Sequence, residues 1–453
     1  MRLKRTIPLL SVALVVASAA VATASTGDPD HCAGQDLIAV PGAEHQRVAC
    51  LGDLTTAALA GTPYTDSSDW ASLTARGTVN PSGVPGVQVD GYFPDSSKLN
   101  RTHGWNHDSQ FVIRLPDNWN GRLVVTGAPG VRKQYSLDSL ISDWVLDQGY
   151  AFASIDKGNS GPNFYTDGVR AGDAIAEWHM RTTQLTVAAK KVVKQAYGKA
   201  PRRTYMTGIS NGGYLTRWQL ENHPELYDAG LDWEGALWTP KGPNLFTYLP
   251  TAVAYGLGQA SRDDMFAVGF SPETEFLWPY HVRVYFGLTQ KTYRAEMDPT
   301  YDTACPGPSA GSTLDEMLAP CPSDASYDYA SRPLSVKRAV ARISLTGKIG
   351  KPMFTVQGDL DALLPIDTDS NVYADMIADA GRSSLHRYYL VAGGTHVDGL
   401  YDLFPDRLRP VLPCYRAAFT DLVSWVERGE APTASTTIPR PTSGDLVNTC
   451  SLP

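Results

Sequence analysis

Charge is scarce in this 453-residue chain. Asp, Glu, Lys and Arg make up 19% of it, and the formal net charge is −8. A disordered polymer carries more charge and fewer apolar residues, whereas 43% of this chain is hydrophobic. The acidic balance leaves no basic footprint for nucleic acid. Beyond the first two dozen residues, no run is long and apolar enough to span a bilayer. There is no Cys-x-x-Cys, no Cys/His cluster that suggests zinc, and no internal repeat. The sequence therefore predicts neither a metal nor a cofactor, and neither a nucleic-acid nor a membrane partner. The length suits two domains, or one large domain with an insertion.

Arg2, Lys4 and Arg5 precede an apolar run from Ile7 to Ala22, and Ala22-Thr23-Ala24 reads as a small-residue cleavage site. Residues 1–24 are expected to be a secretory signal peptide rather than a fold element or an anchor. Its loss removes three cations and takes the formal charge from −8 to −11. The six cysteines all follow it, and an even count outside the cell predicts disulfides. The simplest connectivity joins sequence neighbours: Cys32–Cys50, Cys305–Cys321 and Cys414–Cys450.

Residues 25–108 are mixed and turn-rich, an N-terminal segment expected to pack on the core. Regular alternation starts near residue 109. Strands are expected at Phe111–Leu115, Arg122–Val125, Tyr150–Ile155 and Thr204–Thr207, with helices at Ser136–Asp147, Ala174–Tyr197 and Gly212–Asn222. After an aromatic-rich stretch, the pattern resumes with strands Pro352–Val356 and Arg387–Val391 and helices Asp369–Ala380 and Ala417–Glu427. Such alternation predicts βαβ units: an α/β fold with a mostly parallel, doubly wound sheet. The core is expected over 109–236 and 351–430, with a lid inserted at 237–350. A Pro/Thr-rich tail, 431–453, is expected to run over the surface.

Gly208-Ile209-Ser210-Asn211-Gly212 is a G-x-S-x-G between an expected strand and an expected helix. In the α/β-hydrolase fold this is the sharp elbow that exposes a nucleophilic serine above the sheet. Gly307-Pro308-Ser309-Ala310-Gly311 also matches, but nothing around it predicts strand or helix, and it reads as loop. A serine hydroxyl needs a base and an orienting acid, which this fold supplies in the order Ser, acid, His. Asp361 follows the strand ending at Gln357-Gly358 and precedes an apolar-Pro turn, and Asp359 is the fallback. His396 lies on the glycine-rich loop after the last strand. His386 starts that strand, on the wrong edge of the sheet, and His223 ends the helix after Ser210. His103 and His107, with Asp108 beside them, could pair on a metal if helical, but Gly104 and Trp105 argue for loop.

An oxyanion needs two backbone donors. One is expected from Asn211, the other from Ala128 or, second, Gly127, because Pro129 has no N–H. Arg132, Lys133 and Lys157 follow strand ends near the expected mouth and could meet a polar acyl group. Trp233, Glu234 and Trp238 could line the pocket.

Trp119-Asn120-Gly121-Arg122, Gly149-Tyr150-Ala151 leading to Asp156-Lys157-Gly158, the Ser210 elbow, and Trp425-Val426-Glu427-Arg428-Gly429 with Ala431-Pro432 resemble the tannase and feruloyl esterase family. The resemblance covers 110–236 and 351–432. It implies a secreted α/β-hydrolase with a large lid between nucleophile and acid, and Ser210, Asp361 and His396 as triad. Two features depart from that family. Its paired cysteines before the serine and after the histidine are replaced here by Ile209 and Val397. No compact acidic loop between Leu237 and Gly350 matches its lid calcium site. Ser210-Asn211-Gly212-Gly213 also resembles prolyl-oligopeptidase-like peptidases, and polyhydroxyalkanoate depolymerases share the layout. The expected activity is hydrolysis of small or polymeric esters of aromatic or hydroxy acids. Amide or peptide cleavage and polyester depolymerisation are alternatives. A non-catalytic binding protein on the same scaffold would show a broken triad.

Overall fold

The protein is represented by a computed structural model, which describes residues 32, 38–94, 104–105, 108–158, 161, 170–309 and 311–452. The expected signal peptide and the His103/His107 pair lie outside the described residues. The strands are β1 His45–Leu51, β2 Gly86–Phe93, β3 Ser109–Pro116, β4 Arg122–Gly127, β5 Ala151–Ile155, β6 Arg203–Ile209, β7 Ala229–Trp233, β8 Met353–Gly358, β9 His386–Val391 and β10 Thr436–Ile438. The helices are α1 Thr56–Leu59, α2 Ser67–Trp70, α3 Asp143–Asp147, α4 Asp173–Tyr197, α5 Asn211–Asn222, α6 Leu249–Gly256, α7 Arg262–Ala267, α8 Trp278–Val284, α9 Phe286–Met297, α10 Leu314–Leu318, α11 Leu334–Ile343, α12 Ser370–Asp379 and α13 Leu412–Arg428.

All ten strands form one sheet in the order β1-β2-β3-β5-β4-β6-β7-β8-β9-β10. β1, β2 and β3 pair antiparallel, β3 meets β5 antiparallel, and every pair from β5 to β10 is parallel. The parallel strands read as continuous apolar runs because helices cover both faces. Successive side chains divide accordingly. Leu123 and Val125 of β4, Ala151 and Ala153 of β5 and Met206 of β6 join Trp178, Leu185 and Leu215 of α4 and α5. Val124, Phe152 and Tyr205 point the other way, to Val145 of α3 and Tyr415, Phe419 and Leu422 of α13. The doubly wound α/β-hydrolase architecture follows from that period of two.

Several elements differ from expectation. The N-terminal segment supplies β1 and β2, and the tail supplies β10 beside β9. β2 carries Gln88 and Asp90, wholly buried, which hide it from a hydrophobic scan. They are satisfied inside: Arg114 Nε donates to Gln88 Oε1 at 2.9 Å and Tyr135 Oη to Asp90 Oδ1 at 2.6 Å. The helix expected over Ser136–Asp147 is split into a π turn, Asp138–Ser142, and α3. Between β7 and β8 the chain is helical, α6 to α11, with no strand among its described residues. α11 presents Val336, Ala339, Val340 and Ile343 as one buried stripe and packs on α4. Two of the resembling motifs meet here: Arg122 Nε donates to Glu427 Oε1 at 2.6 Å and Nη2 to Oε2 at 2.5 Å, locking β4 to α13.

The disulfides are Cys32–Cys50, Cys305–Cys321 and Cys414–Cys450, the simplest pairing. No helix among the described residues is long and apolar enough to cross a membrane.

Several buried carboxyls make stability depend on pH. Burial pushes Asp143 and Asp398 up to about 7 and Asp69 up to about 6, against hydrogen bonds that pull them down. In the unfolded chain they titrate near ~3.9. Between those values the folded chain binds more protons, so their contribution is complete below about pH 4 and is lost as pH rises to about 7. Buried His179, His281 and His386, pushed down to about 3, act the opposite way below about pH 6.5, so the carboxyl effect is read as a difference: Asp398→Asn should lose less stability relative to wild type at pH 8 than at pH 5. An equal or larger loss at pH 8 would contradict this reading.

Candidate active site

β6, β7, β8 and β9 end at one edge of the sheet, and the chemistry-bearing residues follow those ends. Ser210 closes β6 with φ 59° and ψ −121°, a left-handed backbone that a non-glycine residue adopts only when held there. The hold is visible: Ser210 N donates to Trp233 O at 3.0 Å, and Tyr214 N to Ser210 O at 2.8 Å. The flanking glycines are required by contact. A Cβ on Gly208 would lie 2.7 Å from Gly212 C, and one on Gly212 would lie 2.4 Å from Gly127 O. The serine therefore heads α5 on a turn too tight for side chains. Ser309, of the second G-x-S-x-G, sits exposed in a loop between α9 and α10.

His396 and Asp361 meet on the segments that follow β9 and β8. A ring nitrogen, Nδ1, lies 2.8 Å from Asp361 Oδ2, and both side chains are nearly fully buried. Asp361 also accepts from Leu363 N (2.8 Å), Leu364 N (3.0 Å) and Gln357 Nε2 (3.1 Å). These contacts fix the carboxylate's position beside the ring. Asp359, the fallback, accepts from Gly393 N at 2.7 Å and braces the loop that leads to His396. His386 bonds with Thr355 Oγ1 at 3.0 Å, and His223 with Glu225 at 3.2 Å on the surface. Glu234, expected to line the pocket, instead stands against His396, with Oε2 3.4 Å from Nδ1. Glu234, Asp361 and His396 bring oxygens and a ring nitrogen within 4.8 Å of one another. Such a donor set could grip a cation, but a ring nitrogen giving its proton to Asp361 cannot ligate one.

The oxyanion expectation needs correction. Ala128 N donates to Ile155 O at 2.9 Å and is committed to the sheet. Gly127 is a ladder residue opposite Ile155, with its carbonyl oxygen toward Gly212. The residues of this loop that line the cavity beside Ser210 are Gly130 and Val131, together with Asn211 of α5. Asn211 is the first residue of α5, where a helix has free N–H groups. Its side chain ties three parts together: Nδ2 donates to Gly130 O at 3.2 Å, and Oδ1 accepts from Tyr293 Oη of α9 at 3.0 Å.

The expected pocket cations are also placed differently. Lys157 is wholly buried, with φ 74°, under the loop after β4. Its Nζ donates to Ala128 O at 2.6 Å and lies 5.3 Å from the Trp178 ring centre. Burial pushes its ammonium well below the usual lysine range, with the neighbouring Asp156 carboxylate opposing. Arg132 spends its guanidinium on Asp69 O and Ala71 O. Lys133 is half-exposed and lines a separate groove with Arg47 and Trp105. Trp233 packs against Tyr415 beneath the sheet, and Trp238 meets Phe246 edge-on and Tyr293 at a tilt.

The cavity itself holds about 150 Å³. Ser210, Gly130 and Asn211 form its floor. Ala236, Leu245 and Leu364 give an apolar wall, and Tyr285, Leu288, Thr289 and Thr292 close it from the helical segment. Nothing in the sequence marked these helical residues as facing Ser210, because they are some 80 positions away and their stripe reads as ordinary packing.

Residues 100–232 match the family model described as tannase and feruloyl esterase. A probable feruloyl esterase of Arthroderma benhamiae is 27% identical over 213 residues, 38% of this chain and 39% of that protein. A D-(-)-3-hydroxybutyrate oligomer hydrolase of Ralstonia nicotianae is 33% identical over 96 residues, 21% of this chain and 12% of that protein. The matched segments thus span well under half of either relative. Feruloyl esterase B of Aspergillus oryzae superposes on 89% of this chain and 91% of its own, with a TM-score of 0.51 at 15% identity. An esterase of the same organism does so on 89% and 90%, with a TM-score of 0.52 at 15% identity. These two structures share the fold. Over residues 100–232 the chain is thus similar to the tannase and feruloyl esterase family, and its fold is the α/β-hydrolase fold of the two Aspergillus oryzae esterases.

Proposed function

We propose that this chain is a secreted serine esterase that cleaves carboxylic esters of aromatic or hydroxy acids. The observation that carries the reading is Ser210, held at a strained elbow on the floor of an apolar cavity, on the sheet edge that also carries the 2.8 Å His396–Asp361 pair. Ser210 Oγ attacks the ester carbonyl. His396 takes its proton and returns it to the leaving alcohol, while Asp361 holds the imidazole in one tautomer and steadies its cation. The N–H groups of Asn211 and of Gly130 or Val131 receive the oxyanion. Water then releases the acid by the same steps in reverse. The cavity size and its Tyr and Thr hydroxyls suit a small acyl group with a phenol or hydroxyl. Relatives named feruloyl esterase and 3-hydroxybutyrate oligomer hydrolase support these two acid classes. Three disulfides suit an oxidising compartment.

Turnover of methyl ferulate, 3-hydroxybutyrate oligomers and p-nitrophenyl acetate, set against acetyl p-nitroanilide, tests this. The ester reading predicts hydrolysis of at least one ester class and anilide cleavage far slower. Anilide cleavage as fast as ester cleavage would make the chain an amidase.

Lys157 acts here by aiming the loop after β4. Lys157→Met keeps the aliphatic stem but loses the charge-assisted bond to Ala128 O. Misplacement of the oxyanion donors by a fraction of an ångström should lower kcat about tenfold or more, with KM changed little. Steady-state kinetics on p-nitrophenyl acetate reads this. An unchanged kcat would remove Lys157 from the account.

A further inference from the structure

β7 and β8 are neighbours, with Trp233 opposite Val356, and Glu234 N donates to Val356 O at 3.1 Å. The residue after β7 must therefore stand beside the turn after β8, which carries Asp361. Glu234 adopts φ +50°, a left-handed backbone that a glutamate takes only under constraint. Its side chain is wholly buried. Oε1 accepts from Gly358 N at 2.7 Å, while Oε2 has no hydrogen-bond partner and lies 3.4 Å from His396 Nδ1. A buried, orphaned carboxyl oxygen is costly unless it is protonated or has a task.

Two buried carboxyls this close do not both ionise. The donors decide between them: four reach Asp361, whereas Glu234 has Gly358 N and, more weakly, the Trp233 indole. The groups that face Glu234 are Asp361 from the β8 turn, His396 and Asp398 from the segment after β9, and Tyr388 of β9. Burial first, and then the charges of Asp361 and Asp398, hold its carboxyl well above the usual range.

We propose that Glu234 is a second carboxyl partner of His396: a neutral acid while Asp361 is ionised, and the anion that holds the imidazole when Asp361 is not. It is a positioning residue, acting through His396. The inference rests on the triad reading above. In Asp361→Asn, the Glu234 proton leaves to solvent, and His396 Nδ1–H turns to Oε2.

In other serine hydrolases, changing the triad carboxylate to its amide costs ~10⁴ in kcat through the wrong tautomer. Here Asp361→Asn should cost only about 10–100-fold, and Asp361→Asn/Glu234→Gln the full ~10⁴. In Asp361→Asn, kcat/KM should rise with pH as Glu234 ionises, a limb absent from the double variant. The downfield NMR resonance of the His396 Nδ1 proton reads the same pairing without turnover. It should persist in Asp361→Asn and vanish in the double variant. Equal kcat for the single and double variants, or loss of the resonance in Asp361→Asn alone, would overturn the proposal. A wild type that hydrolyses no ester would instead sink the triad reading, and the resonance would still decide whether Glu234 pairs with His396.

Discussion

Alanine at Ser210 or at His396 lowers kcat for ester hydrolysis by roughly 10⁴–10⁶, with the chain still folded. The size of the loss follows from the division of labour. Without Ser210 Oγ no acyl-enzyme forms, and without His396 the hydroxyl keeps its proton at neutral pH. What remains is binding in the cavity and the oxyanion donors, which act as before on a water attack. The two losses should not add: Ser210→Ala/His396→Ala should be about as slow as either single variant, because the residues act as one unit. The Ser210 hydroxyl does not support the fold in a way that truncation would break, whereas His396→Ala leaves the buried Asp361 one partner short. Ser210 is half-buried at the head of α5, and its backbone makes the hydrogen bonds that hold the elbow. Far-ultraviolet circular dichroism should therefore match wild type in both variants, and Tm should match it in Ser210→Ala. A variant that retains more than about a tenth of the wild-type kcat would contradict the assignment of that residue.

Arg217→Met is expected to cost about 3–5 kcal/mol of stability. Arg217 comes from α5 and is fully buried. Nε donates to Asp232 Oδ2 at 2.7 Å, Nη1 to Asp369 Oδ1 at 2.9 Å and Nη2 to Ser370 Oγ at 2.9 Å, with the guanidinium 4.5 Å from the Tyr373 ring centre. Asp232 in turn accepts from Gly235 N and Thr355 Oγ1, and Asp369 from Leu237 N. One cation thus joins α5, β7, the start of α12 and the entrance to the helical segment. Methionine fills the volume but leaves two buried carboxyls without their cation. Even with Arg217 present, burial pushes Asp369 up to about 6. Without it both carboxyls must bind protons to stay buried. The deficit should therefore be smaller at pH 5 than at pH 8. Chemical denaturation at the two pH values measures both effects. A loss below about 1 kcal/mol at pH 8 would mean that the network contributes nothing beyond a surface pair.

The legible parts of this molecule are those whose physics is local. β4, β5, β6 and β8 are covered on both faces, so each reads as a mostly apolar run in which the interruptions are chiefly Thr, Ser and Gly. Ser210 is marked by two glycines that contact forbids replacing. Cys414 finds Cys450 because the tail returns along α13. The motifs that carried the family resemblance prove to be joints: Arg122 and Glu427 clasp β4 to α13, and Lys157 props the loop after β4. The illegible parts depend on contacts far apart in sequence. β2 is disguised by Gln88 and Asp90, whose partners Arg114 and Tyr135 come from other elements. Ala128 was a reasonable oxyanion donor until Ile155 O was seen to hold its N–H. Glu234 looked like a pocket residue because strand order, not spacing, sets it beside Asp361. Arg132 and Lys157 looked like free loop cations because the backbone carbonyls that bind them leave no mark in sequence.

A fluorophosphonate reporter followed by peptide mass mapping tests the central claim most directly, since it phosphonylates a serine only where a base and an oxyanion site activate it. The account predicts one adduct, on the peptide that carries Ser210, formed in wild type and absent from Ser210→Ala. Equal labelling of wild type and Ser210→Ala, or an adduct on Ser309, would contradict it.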